Sequence, residues 1–163
     1  MKKFVVLVSV VVAMFLSVLG IRNVSANASV PSYCVVFEQP YDTDMRNRVY
    51  NLFEEKVTGD LMSRIDTENA MEDLQDTDGS VDLNKLGARE GVDYVVLLRV
   101  NNDTSYDDVL HNVKINVDVI EVGTKKVYTK SGNVIVPVMN NSNDEVMMAL
   151  ESLFDDEGNK ELK

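Results

Sequence analysis

The sequence has one cysteine, one histidine and no tryptophan, and these shortages exclude several kinds of site. With Cys34 alone, the chain cannot form an intrachain disulfide or a cysteine-rich zinc site. With His111 alone, histidine-rich metal sites and histidine-dependent triads are disfavoured, since both use histidine as ligand or base. Serine nucleophile elbows, phosphate-binding loops and dinucleotide-binding glycine motifs are also absent. We therefore predict no catalytic residue, no cofactor and no metal ligand.

Positive charge is scarce as well. The chain has 16 basic and 27 acidic residues, for a formal net charge of −11. Its first 28 residues contain Lys2, Lys3 and Arg22 and no acid, so the remainder has 13 basic and 27 acidic residues and a net charge of −14. Such a surface repels phosphates, which argues against nucleic acid as a partner. We expect a protein partner instead.

The one long apolar run lies at the N-terminus and is typical of an export signal. Phe4–Ile21 follows a pair of lysines, and Ala26 and Ala28 then place small side chains at the −3 and −1 positions of a cleavage site. We expect residues 1–28 to be a signal peptide that is cut before Ser29. The alternative is an uncleaved membrane anchor, because this run of 18 residues is close to the roughly 20 that span a bilayer.

The layout of this signal favours a bacterial protein that is exported to the periplasm or beyond the cell. A bacterial lipid anchor needs a cysteine directly after the apolar run, and Cys34 lies well past it. Cys34 instead opens a short apolar run, which predicts a buried thiol that packs like a small hydrophobic side chain. The alternatives are a reactive nucleophile, which needs a base and an electropositive setting, and an intermolecular disulfide.

Residues 29–163 predict a single α+β domain with an ordered core at about 33–157, in which helices pack on a mixed β-sheet. The predicted elements are a strand at 34–38, a helix at 43–57, a weak strand at 61–65, short helices at 70–74 and 82–91, strands at 94–98, 113–119 and 126–136, and a helix from Ser142 to Gly158. Tyr94–Leu98 is apolar on both faces, so it should be the covered middle of the sheet.

Local signals mark the ends of several elements. Asp82 is an N-cap and Gly91 a stop signal for the second short helix. Ser142 and Glu145 read as a capping box for the last helix. Gly132 interrupts the last strand, where we expect a bulge or kink. In the strand at 113–119, apolar residues alternate with Lys114, Asn116 and Asp118, which predicts one solvated face.

Two passages resemble a bacterial envelope superfamily. Leu86–Val96 runs from a helix through Gly87 and Ala88, small enough for close packing, into Gly-Val-Asp-Tyr-Val-Val, and Ile115–Val127 is similar to the family's strand and hairpin. The superfamily includes the N-terminal domain of TolB, CsgG, FlgO and LpoB, and the resemblance covers about residues 33–155. It implies a TolB N-terminal-domain-like fold and a non-enzymatic module that binds another protein or supports an assembly. The chain lacks the lipobox cysteine of several members and the pore-forming insertions of CsgG.

An acidic turn at 76–82 echoes a calcium loop. The residues that match the loop pattern are Asp76, Asp78, Gly79 and Asp82. The first ligand position would fall on Leu74 and the final bidentate acid on Lys85, and neither residue type binds calcium. We interpret the segment as an acidic surface turn, and a weak calcium-binding module stays an alternative.

Acidic side chains also surround the single histidine. Asp103, Asp107, Asp108 and His111 lie around one polar segment, where a histidine with carboxylates can bind a metal or act as an acid–base pair. We interpret this segment as a solvated loop.

The hypothesis that these observations favour is an exported envelope protein, not an enzyme, that acts by protein–protein contact. Its predicted contact surface is a sheet edge in the hairpin at 112–136, which can accept a strand from a partner. The alternatives are a secreted hydrolase that uses carboxylates and the calcium-binding module. The hydrolase requires a concave site with two converging acids.

Overall fold

The computed structural model describes residues 30–103 and 109–159, which form one five-stranded sheet with helices on both faces. In chain order the elements are β1 (Ser32–Phe37), α1 (Thr43–Lys56), β2 (Asp60–Leu61), α2 (Arg64–Leu74), α3 (Leu83–Glu90), β3 (Tyr94–Asp103), β4 (Leu110–Glu121), β5 (Lys126–Pro137) and α4 (Ser142–Asn159). The predicted α+β class is confirmed. Within the described ranges, no helix combines the length and apolarity that crossing a bilayer requires.

The strands lie in the order β2–β1–β3–β4–β5. β1 runs parallel to β2 and β3, whereas β3, β4 and β5 form an antiparallel meander. Parallel neighbours need a crossover connection, and α1, followed by α2 and α3, supplies these crossovers. β1 and β3 therefore lie inside the sheet, and β2 and β5 are its edges.

The central strands are covered on both faces. Val35 and Val96 belong to the apolar core beneath α1 and α4, while Cys34 and Val95 belong to a second core beneath α2 and α3. Burying each large apolar side chain contributes about 1.5–3 kcal/mol, so two cores over the same strands anchor the sheet. The interpretation of Tyr94–Leu98 as the covered middle of the sheet is confirmed.

Side-chain caps and a glycine stop signal set the helix ends. Asp42 accepts a hydrogen bond from the backbone N–H of Met45 at 2.8 Å, which caps α1 and lowers the pKa of Asp42. Asp82 caps α3 by accepting two backbone N–H bonds, as predicted. Gly91 ends α3 at a φ of 70°, a left-handed conformation that favours glycine.

Gly87 allows α3 to lie directly on the sheet. A Cβ atom at this position would meet the side chains of Val122 and Val95. Ala88, which was predicted to share the close contact, is exposed. Gly87 is therefore the small residue that the packing requires.

The weak strand predicted at 61–65 is wrong in extent. β2 is Asp60–Leu61, and α2 begins at Arg64. The Ser63 hydroxyl accepts a hydrogen bond from the backbone N–H of Asp66 at 3.2 Å, so this residue caps a helix. The helix cap at Ser63 therefore decides the structure of this segment over the apolar pattern at 61–65, which had favoured a strand.

β5 passes Gly132 without the predicted bulge. The register between β4 and β5 is unbroken over the full length of both strands. Gly132 serves instead to admit α4, because a Cβ atom there would lie 2.6 Å from Cδ1 of Leu153.

The capping box predicted for α4 does not form. Asn141 takes the cap position, and its side chain accepts a backbone N–H bond from the first turn at 3.0 Å. Glu145 turns back to the sheet: one carboxylate oxygen accepts from the N–H of Met139 at 2.8 Å, and the other lies 2.9 Å from Nδ1 of His111. Glu145 is only 1% exposed, so these partners, rather than Ser142, satisfy its carboxylate.

Candidate interaction surface

β5 forms a long free edge of the sheet. All 12 of its residues pair with β4, and no strand within residues 30–103 or 109–159 pairs with its other side. α4 packs against one face of the strand. Unpaired backbone groups along a sheet edge are a template for a further strand.

The hydrogen bonding of the hairpin fixes which backbone groups point outward. The N–H of Val138 donates to the C=O of Val109 at 2.9 Å, so these two facing residues form a hydrogen-bonded pair. In an antiparallel ladder, bonded and non-bonded pairs alternate. Every odd-numbered residue of β4 is therefore hydrogen-bonded to the even-numbered residue of β5 that faces it, and the pairs between them are not bonded. Even-numbered residues of β5 therefore direct their backbone at β4, and odd-numbered residues direct theirs at the free edge. Pro137, which has no N–H to offer the ladder, falls in the outward set.

The same outward residues place their side chains on one face of the sheet, opposite α4, which we call the open face. These residues are Val127, Thr129, Ser131, Asn133 and Ile135. On this side of the sheet, α2 and α3 pack over β1, β3 and the Ile120 end of β4. Val127 is 55% exposed and Ile135 is 50% exposed, so solvent reaches both ends of the open face.

A buried carboxylate links three strands on the open face. Asp118 of β4 is 8% exposed, forms an ion pair with Arg99 of β3, and accepts a hydrogen bond from the hydroxyl of Thr129 of β5 at 2.6 Å. One step along the same face, the Ser131 hydroxyl donates to Asn116 at 2.7 Å. The predicted solvated position of Asp118 is wrong because the neighbouring strands supply polar groups that close over it.

The turn between β4 and β5 sets the register of the hairpin. The N–H of Lys125 donates to the C=O of Glu121 at 2.8 Å, and Lys125 has a positive φ of 58°. The hydroxyl of Thr124 donates to the Glu121 carboxylate at 2.5 Å. Backbone and side-chain hydrogen bonds both hold this turn, so it fixes the register of β5 against β4. That register determines which residues of β5 point at the free edge.

The hairpin is the basic part of an acidic chain. Residues 109–138 contain four lysines and two acids, whereas the rest of the chain after residue 28 contains nine basic and 25 acidic residues. Lys126 and Lys130 are exposed on β5, on the face opposite the open face. Residues 126–137 hold no acid at all.

The single histidine lies in a strand rather than in a solvated loop. His111 belongs to β4, its side chain is 17% exposed, and it contacts Glu145, which is 34 residues away in sequence. The predicted loop position of His111 is therefore wrong. Asp103 is the last residue of β3.

Two predictions from the sequence concern residues that lie outside the described ranges. Asp107 and Asp108 lie there, and so do Ala28 and Ser29, between which signal cleavage is expected. The cleavage site stays a prediction.

The acidic turn at 76–82 uses its side chains in local hydrogen bonds. Asp78 accepts from the hydroxyl and the backbone N–H of Ser80, which lowers the pKa of Asp78. Asp82 caps α3. In the part of the chain that the structure describes, no three histidine, cysteine, aspartate or glutamate side chains converge on a point where a metal ion would be held.

Cys34 is fully buried in the core beneath α2 and α3. Burial raises the pKa of its thiol to about 12. The nucleophilic form of cysteine is the thiolate, which this pKa suppresses near neutral pH. The interpretation of Cys34 as a small buried hydrophobic side chain is confirmed.

A cavity of about 400 Å³ opens where β1 ends and α1 begins. Two acids line it, Glu38 and Glu68. Glu68 is bound by Arg46 at 2.7 Å and by Arg64 at 2.5 Å, and Glu38 lies 3.9 Å from Arg99. Glu68 therefore faces two arginines and Glu38 faces a third, so each acid at this cavity has a positively charged neighbour.

Comparison with known proteins gives structural neighbours and no relatives by sequence. No protein-family model matches the chain, and no curated protein sequence is similar to it. Lipoprotein GNA1162 of Neisseria meningitidis is similar in structure, with a TM-score of 0.49 and 19% identity over 81% of this chain and 99% of that chain. The hypothetical protein CT253 of Chlamydia trachomatis has a TM-score of 0.47 and 12% identity over 79% of this chain and 93% of that chain.

PelC of Paraburkholderia phytofirmans, solved as a dodecamer, has a TM-score of 0.42 and 11% identity over 74% of this chain and 81% of that chain. These neighbours are bacterial proteins, and one of them is a lipoprotein. Identities this low concern the fold alone.

The sequence pattern predicted a sheet edge in this hairpin, but it did not indicate which backbone N–H groups of β5 point away from β4. The alternation at 126–137 shows two faces, whereas the direction of each backbone N–H depends on the register with β4. The sequence does hold one signal. Pro137 has no N–H to donate, so it must lie at an outward position, and Val127, Ser131 and Ile135 are each an even number of residues away and point the same way.

Proposed function

We propose that this protein is an exported, non-enzymatic protein of the bacterial cell envelope that acts by binding another protein at the free edge of β5. The observation that carries the proposal is the edge itself, which is 12 residues long and has an unbroken register. In strand addition, backbone hydrogen bonds supply affinity and the alternating side chains supply selectivity. A typical partner strand of about five or six residues fits on β5 with room to spare.

The proposal includes membership of the envelope superfamily that the sequence resembles. Two features support it: β3 begins at Tyr94, directly after the Gly-Val-Asp passage, and the β4–β5 hairpin includes the second similar passage at 115–127. The export signal at 1–28 supports a location outside the cytoplasm.

A role by contact is also supported by how the charged side chains around the β1 cavity are used. Arg46 and Arg64 hold both oxygens of Glu68 and link α1 to α2. These groups form a bridge between helices, which is a structural use of charge. The proposal accordingly assigns no catalytic residue.

A photo-crosslinking amino acid placed on the edge tests the proposal in intact cells. We expect the chain that carries it at Ile135 to give a discrete adduct with one envelope protein. The matched position is Ile65 on α2, which is 60% exposed and distant from β5 in the fold, and it should give no such adduct.

The same experiment with two substitutions separates backbone pairing from side-chain contact. Asn133→Pro removes an outward N–H and should abolish the Ile135 adduct, whereas Asn133→Ala removes only the side chain and should leave the adduct intact. Equal adducts at Ile135 and Ile65, or an adduct that survives Asn133→Pro, would contradict the proposal.

Export is tested by the N-terminus of the protein that cells accumulate. Mass spectrometry of the envelope fraction should find a chain that begins at Ser29. Replacing Ala28 with arginine should block cleavage, because only small side chains fit the peptidase at that position. Recovery of an intact N-terminus from the unaltered chain would favour the membrane anchor instead.

A further inference from the structure

We infer that the strand bound at β5 is β5 of a second copy of this chain, paired antiparallel about a two-fold axis at Ser131. This inference rests on the proposed function and names the partner. It follows from the order of the outward residues along β5, which is self-complementary when the strand lies beside its own copy in the reverse direction.

The backbone of β5 can pair with its own copy along nearly its whole length. The outward residues are odd-numbered, so two antiparallel copies form hydrogen-bonded pairs between odd-numbered residues. With Ser131 opposite its own counterpart, the bonded positions run from Val127 to Ile135, and each has an N–H to donate. About ten backbone bonds then join the two copies. Pro137, the outward residue without an N–H, lies beyond the last of these pairs.

The side chains on the open face match in this register. Val127 and Ile135 are both exposed in the single chain, and Val127 of each copy faces Ile135 of the other. Thr129 faces Asn133 between them, so apolar residues pair with apolar ones and polar residues with polar ones. Such cross-strand apolar pairs lose exposed surface and stabilise a sheet. A shift of two residues in either direction leaves Ile135 opposite Thr129 or beyond the end of β5.

The lysines of β5 do not face one another in this register. On the face that carries α4, Lys126 falls opposite Val136 of the second copy, and Lys130 falls opposite Gly132. The two Lys130 residues are only diagonal neighbours, roughly 7–8 Å apart. Lys130 also interacts within its own chain. The pairing therefore needs no acid on the partner strand.

The charge of the molecule favours the hairpin as the contact between copies. After residue 28 the chain has a net charge of −14, whereas residues 109–138 contain four lysines and two acids. Two such chains repel at long range, and salt screens that repulsion. The edge of one strand is also a small interface, so we expect a weak dimer that dissociates on dilution.

An engineered cysteine at the two-fold axis tests the register on the full chain, purified in the form that cells accumulate. Cys34 is fully buried, so a cysteine on the open face supplies the accessible thiol. Ser131→Cys should form a disulfide-linked dimer under mild oxidation. Residues of a bonded antiparallel pair lie about 5.5 Å apart between Cα atoms, which is within the range of a disulfide.

Thr129→Cys and Asn133→Cys are the matched controls. Either variant alone should stay monomeric, because its own counterpart lies four residues along the other strand, roughly 14 Å away. An equal mixture of the two variants should form a disulfide between them, because Thr129 of one copy faces Asn133 of the other.

Sedimentation of the chain without an added cysteine measures the dimer itself. We expect a dimer that grows with protein concentration and strengthens as salt is raised. Ile135→Asp should weaken it at least about tenfold, because it places a charge in an apolar pair. Asn133→Pro should do the same by removing an outward N–H. Asn133→Ala and Ile65→Asp, the latter at an exposed position on α2, are the controls and should leave the dimer unchanged.

The outcomes separate this inference from the proposed function. An Ile135 photo-adduct with the mass of two chains supports the inference. A chain that stays monomeric at every concentration, or a Ser131→Cys chain that links no better than Thr129→Cys, would overturn it. An Ile135 adduct with a different protein would also overturn it and would leave the edge as the contact site, whereas loss of every adduct there rejects the proposed function.

Discussion

Glu145 is the residue that ties the C-terminal helix to the sheet. Its carboxylate is buried and bridges the backbone N–H of Met139, just after β5, and the ring of His111, near the start of β4. A buried carboxylate is costly unless it is bonded, and here both of its oxygens have partners. The pair therefore specifies where α4 docks.

Replacing Glu145 with alanine should destabilise the fold by about 2–4 kcal/mol, because it leaves the partly buried N–H of Met139 and the partly buried ring of His111 without their partner. Urea denaturation measures this free energy. Glu151→Ala, at an exposed position on the same helix, is the control and should change stability by less than about 0.5 kcal/mol. A Glu145→Ala chain as stable as the control would show that the bridge contributes nothing.

At the scale of elements, the backbone N–H groups of β5 alternate in direction along the strand: one points at β4 and the next points at the free edge. The N–H of Lys130 points at β4, whereas that of Asn133 points at the free edge. Proline has no N–H, so its effect on stability reports this difference.

We expect Lys130→Pro to cost about 1–3 kcal/mol more than Asn133→Pro, because only the first removes a ladder hydrogen bond. Lys130→Ala and Asn133→Ala correct for loss of the side chains, and urea denaturation of all four variants gives the comparison. If the two proline variants lose the same free energy of unfolding, the assignment of which β5 N–H groups are bonded to β4 is wrong.

The elements that the sequence predicted best are those set by local signals. Asp82 and Gly91 bound α3 as expected, and the alternation at 113–119 identified β4. The partners of Glu145 and Asp118 could not be read from the sequence. Both depend on which strands become neighbours, and a local pattern such as Ser142-x-x-Glu145 is overridden when a buried partner lies across the fold.

At the scale of the whole molecule, the cores hold several groups that ionise only at high pH. Burial raises the pKa of Cys34, Tyr41 and Tyr50 to about 12, from ordinary values of 9.0 for the thiol and 10.0 for the phenols. A raised pKa in the folded state means that folding favours the protonated form. The stability this contributes is fully present below about pH 9 and is lost as the pH rises toward 12.

We therefore expect ionisation of these groups to leave the urea midpoint unchanged from pH 7 to about 9. Above that pH, the midpoint should fall steadily toward pH 12. Cys34→Ala removes the thiol and should move the onset of the fall closer to the phenol range. A midpoint that holds its value up to pH 12 would contradict the burial of these groups.

The central claim is that β5 keeps one side of its backbone free for a partner strand. Amide hydrogen exchange of the unbound chain tests it at single residues. The amides of Tyr128, Lys130 and Gly132 should exchange slowly, and those of Thr129, Ser131 and Asn133 should exchange quickly, because only the first set is bonded to β4. Slow exchange in both sets would mean that the edge is already covered, and it would contradict the account.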